Sequence, residues 1–144
     1  QAMRLWRDLE PMLRAYDYTI FFRKLADAVE TRDAAVFDVA AYAGGTDTVK
    51  LQAWLDDWLD TLDANGDLDQ QTPDRLRSHN PKYVLREFML VDAYEAAYGG
   101  DFSVAHELHR LVKRPYDEQP DMEAKYFVKA PEADLQKPGT AFMT

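Results

Sequence analysis

Residues 80–118 read NPKYVLREFMLVDAYEAAYGGDFSVAHELHRLVKRPYDE, and the punctuation of this stretch decides the fold. Asn80 before Pro81 has the form of a helix start. An Asn side chain accepts a first-turn N–H, and proline at the first helical position loses nothing by lacking one. Gly99-Gly100 reads as a stop, Ser103 as the next start and Pro115 as its end. The stretch predicts two helices. The first, 81–98, carries Val84, Leu85, Phe88, Val91, Tyr94 and Tyr98 on one face. The second, 103–113, carries Val104, Leu108, Leu111 and Val112.

Working outward, the N-terminal side is also helical in period. Leu5, Trp6, Leu9, Met12, Leu13 and Tyr16 fall on one stripe over 2–15. Asp17-Tyr18-Thr19 reads as a break and cap before a helix reaching about Glu30, and Asp33 can cap a short helix from Ala34 to Tyr42. Thr46 or Asp47 opens the clearest amphipathic run, Leu51, Trp54, Leu55, Trp58, Leu59 and Leu62, which Asn65-Gly66 closes. Thr72-Pro73 is a further start. Beyond Pro115, prolines 120, 131 and 138 interrupt the chain. The expectation is an all-α, irregular multi-helix domain, 1–116 forming its core and 117–144 an extended, proline-interrupted C-terminal arm.

The 144 residues suit one domain with a real core, and 47% apolar content excludes disorder throughout. A formal net charge of −9 opposes nucleic-acid binding and docking on an anionic membrane, which both want a basic face. Without cysteine there is no disulfide framework, thiolate nucleophile or Cys-based zinc site. No apolar run has the length of a membrane span. The chain opens at Gln1 with residues that read as mid-helix, which suggests a piece of a longer protein.

Four groups could carry chemistry. The loop Asp63-Ala64-Asn65-Gly66-Asp67-Leu68-Asp69 starts like a calcium loop, then departs from it. Leu68 stands where the sharp turn needs Gly, and Asp74 where a bidentate Glu belongs. Asp63, Asn65, Asp67 and Asp69 are thus the metal candidates, against the reading of a solvated acidic helix stop. His106-Glu107-Leu108-His109 is one residue short of the zinc-protease spacing, so its imidazoles would need ligands from elsewhere. Asp56, Asp57, Asp60 and Asp63 face away from the Trp54/Trp58 stripe, as a solvated helix face does. Arg86, on a mostly apolar helix, calls for a carboxylate, with Asp101 and Asp117 as candidates to staple it to the 114–118 turn. No phosphate loop, nucleophile elbow or kinase signature occurs, so no catalytic residue is assigned.

The segments Asp17-Tyr18-Thr19, Phe21-Phe22-Arg23, Trp54-Leu55 with Trp58, Asn80 to Arg86, Gly100-Asp101-Phe102 and Arg114-Pro115-Tyr116-Asp117-Glu118 together resemble, in order, the C-terminal region of the SelO (YdiU) family of protein adenylyltransferases. That resemblance implies a pseudokinase-like parent that uses ATP with Mg or Mn to place AMP on Ser, Thr or Tyr hydroxyls of client proteins. It implies that the nucleotide and metal residues lie upstream, in a kinase-like domain against which this segment packs. This segment would then hold no cofactor and act as structure, through Asn80, Pro81, Arg86, Asp101, Arg114, Pro115 and Tyr116. The compartment implied is cytoplasmic in a bacterium and mitochondrial in a eukaryote. Two features depart from the family pattern: Glu87 follows Arg86 where Asn is usual, and the sequence ends in Ala141-Phe142-Met143-Thr144 where many members carry a Ser/Cys-rich redox tail, so that either this member lacks the tail or the sequence stops before it. The alternative reading is a free-standing acidic interaction module with weak calcium binding at Asp63–Asp69.

Overall fold

The computed structural model describes residues 2–43 and 47–132. Thr46, read above as a possible helix start, lies outside them with Gly44 and Gly45, as do Pro138 and the 141–144 end. The described residues are all-α. Seven α-helices follow one another: α1 Ala2–Leu13, α2 Tyr18–Thr31, α3 Thr48–Asn65, α4 Thr72–His79, α5 Glu87–Tyr98, α6 Ser103–Val112 and α7 Pro120–Tyr126. A 3-10 helix, Ala34–Ala40, sits between α2 and α3. The chain forms two compact units, Gln1–Asn80 and Pro81–Thr144.

In the first unit the helix starts obey local chemistry. The Asp17 carboxylate accepts from the Ile20 amide at 3.1 Å, Asp33 from Ala35 at 2.8 Å and Asp47 from Lys50 at 3.1 Å. Each bond satisfies an N–H that has no partner within the helix, worth about 1 kcal/mol per cap. At the far end of α3, Gly66 takes φ 75°, the left-handed region where a Cβ costs energy, and Asp67 N–H closes onto the Leu62 carbonyl at 2.8 Å. The aromatic core is centred on Phe21, which is fully buried. Its ring stacks on Phe37 at 4.3 Å and meets Tyr16 at 5.2 Å. Trp54 ties α3 to α1 by donating its indole N–H to the Leu5 carbonyl at 3.0 Å. Trp58 is only half-buried, because it lies over Trp54 as an outer layer, 5.7 Å away and nearly parallel. Trp6, expected on the buried stripe of α1, is 41% exposed. A two-residue bridge, Tyr16 opposite Ala41, closes the segment containing α2 and the 3-10 helix.

The second unit corrects the reading of its opening. Asn80 does not start a helix; it ends one. Its side-chain amide and its backbone N–H both donate to the Leu76 carbonyl, at 2.9 and 3.0 Å, finishing α4. Pro81 begins no helix, and residues 81–86 run non-helical until α5 starts at Glu87. The reason is tertiary: the segment is held on the 114–118 turn, with the Lys82 and Tyr83 amides both donating to the Pro115 carbonyl, at 2.8 and 3.1 Å, and the Lys82 side chain to Glu118. The expected apolar face also turned over. Helix α5 buries Met89 and Ala93, packing on α6, which buries Leu108 and Leu111. Val84, Leu85, Val91, Tyr94 and Tyr98 are exposed instead. The stretch read as an extended arm from 117 contains α7, with Pro120 at its first turn.

Candidate functional site

The densest chemistry in the second unit gathers on Lys82 and Tyr83. Both side chains are buried, 4% and 2% exposed. They are carried there by the non-helical segment after Pro81, which two bonds to Pro115 fix in place. The Lys82 ammonium donates to Glu118 and to Glu123, each at 2.7 Å, and rests 5.2 Å from the Phe127 ring centroid. The Tyr83 hydroxyl donates to the Glu118 and Gln119 carbonyls at 2.8 and 3.0 Å, and its ring meets Phe127 edge-on. A buried cation is tolerated only when paired and hydrogen-bonded, and this one is both. The cluster fastens the 114–118 turn and α7 to the segment after Pro81.

Burial alone pulls the Lys82 ammonium down, but its bonds to Glu118 and Glu123 outweigh that and raise it above its ordinary 10.5. Burial pushes the Tyr83 phenol above 10.0. Both groups therefore hold their protons more tightly folded than unfolded. Their contribution is complete below the unfolded values and disappears as pH rises through the folded ones. The melting temperature is expected to stay level to about pH 9 and to fall above about pH 10. Lys82→Met should make that alkaline fall shallower. Calorimetry between those values checks it; equal slopes for the two proteins would refute the lysine's part.

Several of the other candidates are spent on internal contacts. Asp69 receives the Arg75 guanidinium at 2.9 and 3.0 Å, which together with the Gln71 amide holds its carboxyl below the usual range. Arg75 also donates to the Asp67 carbonyl, and Asp63 uses its carbonyl to accept from Gly66. The would-be calcium loop is thus closed around an arginine. Asn65 is the last residue of α3. His106 and His109 are exposed on α6, while Glu107 between them accepts from Lys125 and Tyr126, which ties α6 to α7. Those two donors lower the Glu107 carboxyl. Asp57 pairs with Arg4 at 2.7 Å and Asp56 accepts from Gln52. Among the described residues, no three or more His, Asp or Glu side chains come together as metal ligands.

The residues singled out for structure are placed as follows. Arg86 is buried, 4% exposed, at the position just before α5. Asp101 accepts from the Ser103 amide at 2.8 Å, and Asp117 pairs with Arg114 at 3.5 Å. Pro115 supplies the doubly used carbonyl, and Tyr116 is 46% exposed. Sequence reasoning passed over Lys82 and Tyr83, since an isolated lysine is normally exposed. It also passed over Arg23, which is 6% exposed and donates to the carbonyls of Arg77 and Asn80 at 2.7 and 2.9 Å, fixing α4 on α2. An open depression of about 680 Å³ in the first unit is lined by Arg7, Asp8, Tyr16, Lys50, Trp54 and Asp57 among others. Its charges are mixed in sign.

No family model matches the chain. Curated proteins do. A protein nucleotidyltransferase YdiU from Azotobacter vinelandii is 40% identical over 120 residues, covering 82% of this chain and 23% of the relative. Proteins of the same name from Vibrio vulnificus and Flavobacterium johnsoniae are 37% and 34% identical over 114 and 138 residues. The chain spans 22% and 26% of those two, so it corresponds to about a quarter of the length of the relatives it matches. On this similarity the chain belongs to the YdiU family of protein nucleotidyltransferases, as a segment of it.

Proposed function

We propose that this segment is the non-catalytic, C-terminal helical domain of a nucleotidyltransferase that moves AMP from ATP onto Ser, Thr or Tyr hydroxyls of client proteins. The similarity to proteins named YdiU nucleotidyltransferase supports the reaction class. The observation that carries the structural role is the commitment of its charged groups. Lys82 is spent on Glu118 and Glu123, Glu107 on Lys125 and Tyr126, and Asp69 on Arg75. A general acid, base or metal ligand needs a group still facing substrate.

In this reading ATP with Mg or Mn belongs to the whole protein. The residues described here do not fit that set. Their carboxylates are dispersed or paired with cations, and Gly66, Gly99 and Gly100 finish helices instead of forming a loop around phosphates. The partners are the kinase-like part of the same polypeptide and the client proteins, with neither nucleic acid nor membrane among them. The compartment is the cytoplasm in a bacterium and the mitochondrion in a eukaryote.

Intact-mass analysis after incubation with Mg-ATP tests the proposal. A full-length family polypeptide carrying this segment should gain adenylyl groups, on itself or on an added client. The 144 residues alone should gain none. Transfer by the isolated chain would overturn the structural role, and no transfer by the full-length protein would overturn the reaction.

A further inference from the structure

Helix α5, EFMLVDAYEAAY, is apolar around most of its circumference. A helix of that kind is normally buried on all sides. Here only one side is covered. At 100° per residue, Met89 and Ala93 point one way, and Val91, Tyr94 and Tyr98 cluster roughly opposite them. The three outer residues are 45%, 68% and 98% exposed, and Phe102 beyond the helix end is 57% exposed. Single exposed apolar residues need no explanation, but a stripe at i, i+3 and i+7 that two of the chain's tyrosines dominate does. Tyrosine is also the residue type enriched where one protein surface meets another, since its ring packs and its hydroxyl stays satisfied at a wet edge.

We infer that the outer face of α5, formed by Val91, Tyr94 and Tyr98 with Phe102, is the docking surface for the remaining, larger part of the YdiU polypeptide. This rests on the reading that the segment works as one domain of a longer enzyme. Two observations choose that occupant. About three-quarters of the relatives' length lies outside the matched segment, so a protein surface of ample size is covalently available. The exposed charges that α5 and the turn after it carry beside the stripe are all acidic, Asp92, Glu95 and Asp101, and α5 contains no Lys or Arg. The matching surface is therefore an apolar patch with a basic rim, because like charges across an interface are strongly unfavourable. A second copy of this chain would set acidic rim against acidic rim.

Hydroxyl-radical footprinting of a full-length family polypeptide carrying this segment, beside the 144-residue chain, tests the inference. Oxidation of Tyr94 and Tyr98 should fall by about tenfold in the full-length protein, as for side chains moved into an interface core. The double variant Tyr94→Arg with Tyr98→Arg should lower the melting temperature of the full-length protein and leave that of the 144-residue chain nearly unchanged. Equal oxidation in both proteins overturns the inference. So does protection already present in the short chain, which would mean a second copy or its own other unit covers the stripe. Adenylyl transfer measured on the same full-length sample separates the two readings. Transfer with reactive tyrosines removes the docking surface and keeps the function; protection without transfer does the reverse.

Discussion

Phe21→Ala is expected to destabilise the first unit by about 3–5 kcal/mol, the range for removing a large ring from a packed core. The ring is wholly buried. It is gripped from four parts of the chain: Phe22 beside it in α2, Tyr16 before that helix, Phe37 in the 3-10 helix and Trp54 in α3. Neighbours held on separate elements cannot all move inward, so the vacated space persists and the cost belongs at the upper end of the range. Phe21→Leu, which refills part of that space, should cost roughly 1–2 kcal/mol. Tryptophan fluorescence in urea reads the right part of the molecule, since Trp6, Trp54 and Trp58 all belong to the first unit. A loss below about 1 kcal/mol for the alanine variant would mean that the ring does not knit these elements together.

Substitutions at Tyr83 should have a comparable effect in the second unit and should split into two steps. Tyr83→Phe keeps the ring against Phe127 and removes only the hydroxyl that serves the Glu118 and Gln119 carbonyls. Its expected cost is about 1–2 kcal/mol, the worth of a buried hydrogen bond plus part of the penalty for stranding its acceptors. Tyr83→Ala also empties the ring's space, for a total of about 3–5 kcal/mol. Because α7 follows directly on the two carbonyls, both variants should loosen it first. Amide exchange across 120–126 should quicken in Tyr83→Phe before the rest of the unit changes. Unchanged exchange there would detach the hydroxyl from the ordering of α7.

What could be read from sequence, and what could not, divides along a physical line. The caps at Asp17, Asp33 and Asp47 and the stop at Gly66 depend on atoms within a few residues, so residue type and spacing suffice to find them. The Leu51–Leu59 stripe was legible because one face of α3 meets the core in a regular period. Asn80-Pro81 has the same local grammar as a helix start, yet its conformation is set by Pro115, more than thirty residues on. Helix α5 has apolar residues on two sides, and periodicity cannot say which side a neighbour will take. Lys82, Tyr83 and Arg23 were invisible for the same reason: their partners are carbonyls and carboxylates that only folding brings near.

Gln119 carries a consequence for how this segment can vary. Its backbone sits at φ 39°, ψ 63°, a region that side chains other than glycine's make unfavourable by about 1–2 kcal/mol. Glycine would relieve that, but the Gln119 side-chain amide also donates to the Leu111 and Arg114 carbonyls at 3.0 and 2.8 Å, a second donor for carbonyls that already accept from the Arg114 and Asp117 amides. The backbone asks for one residue and the carbonyls ask for another. Position 119 therefore has a narrow alphabet: a long primary amide meets the second demand at some expense to the first, and β-branched residues meet neither. Drift through this part of sequence space is restricted at position 119, and the restriction comes from the geometry of one turn.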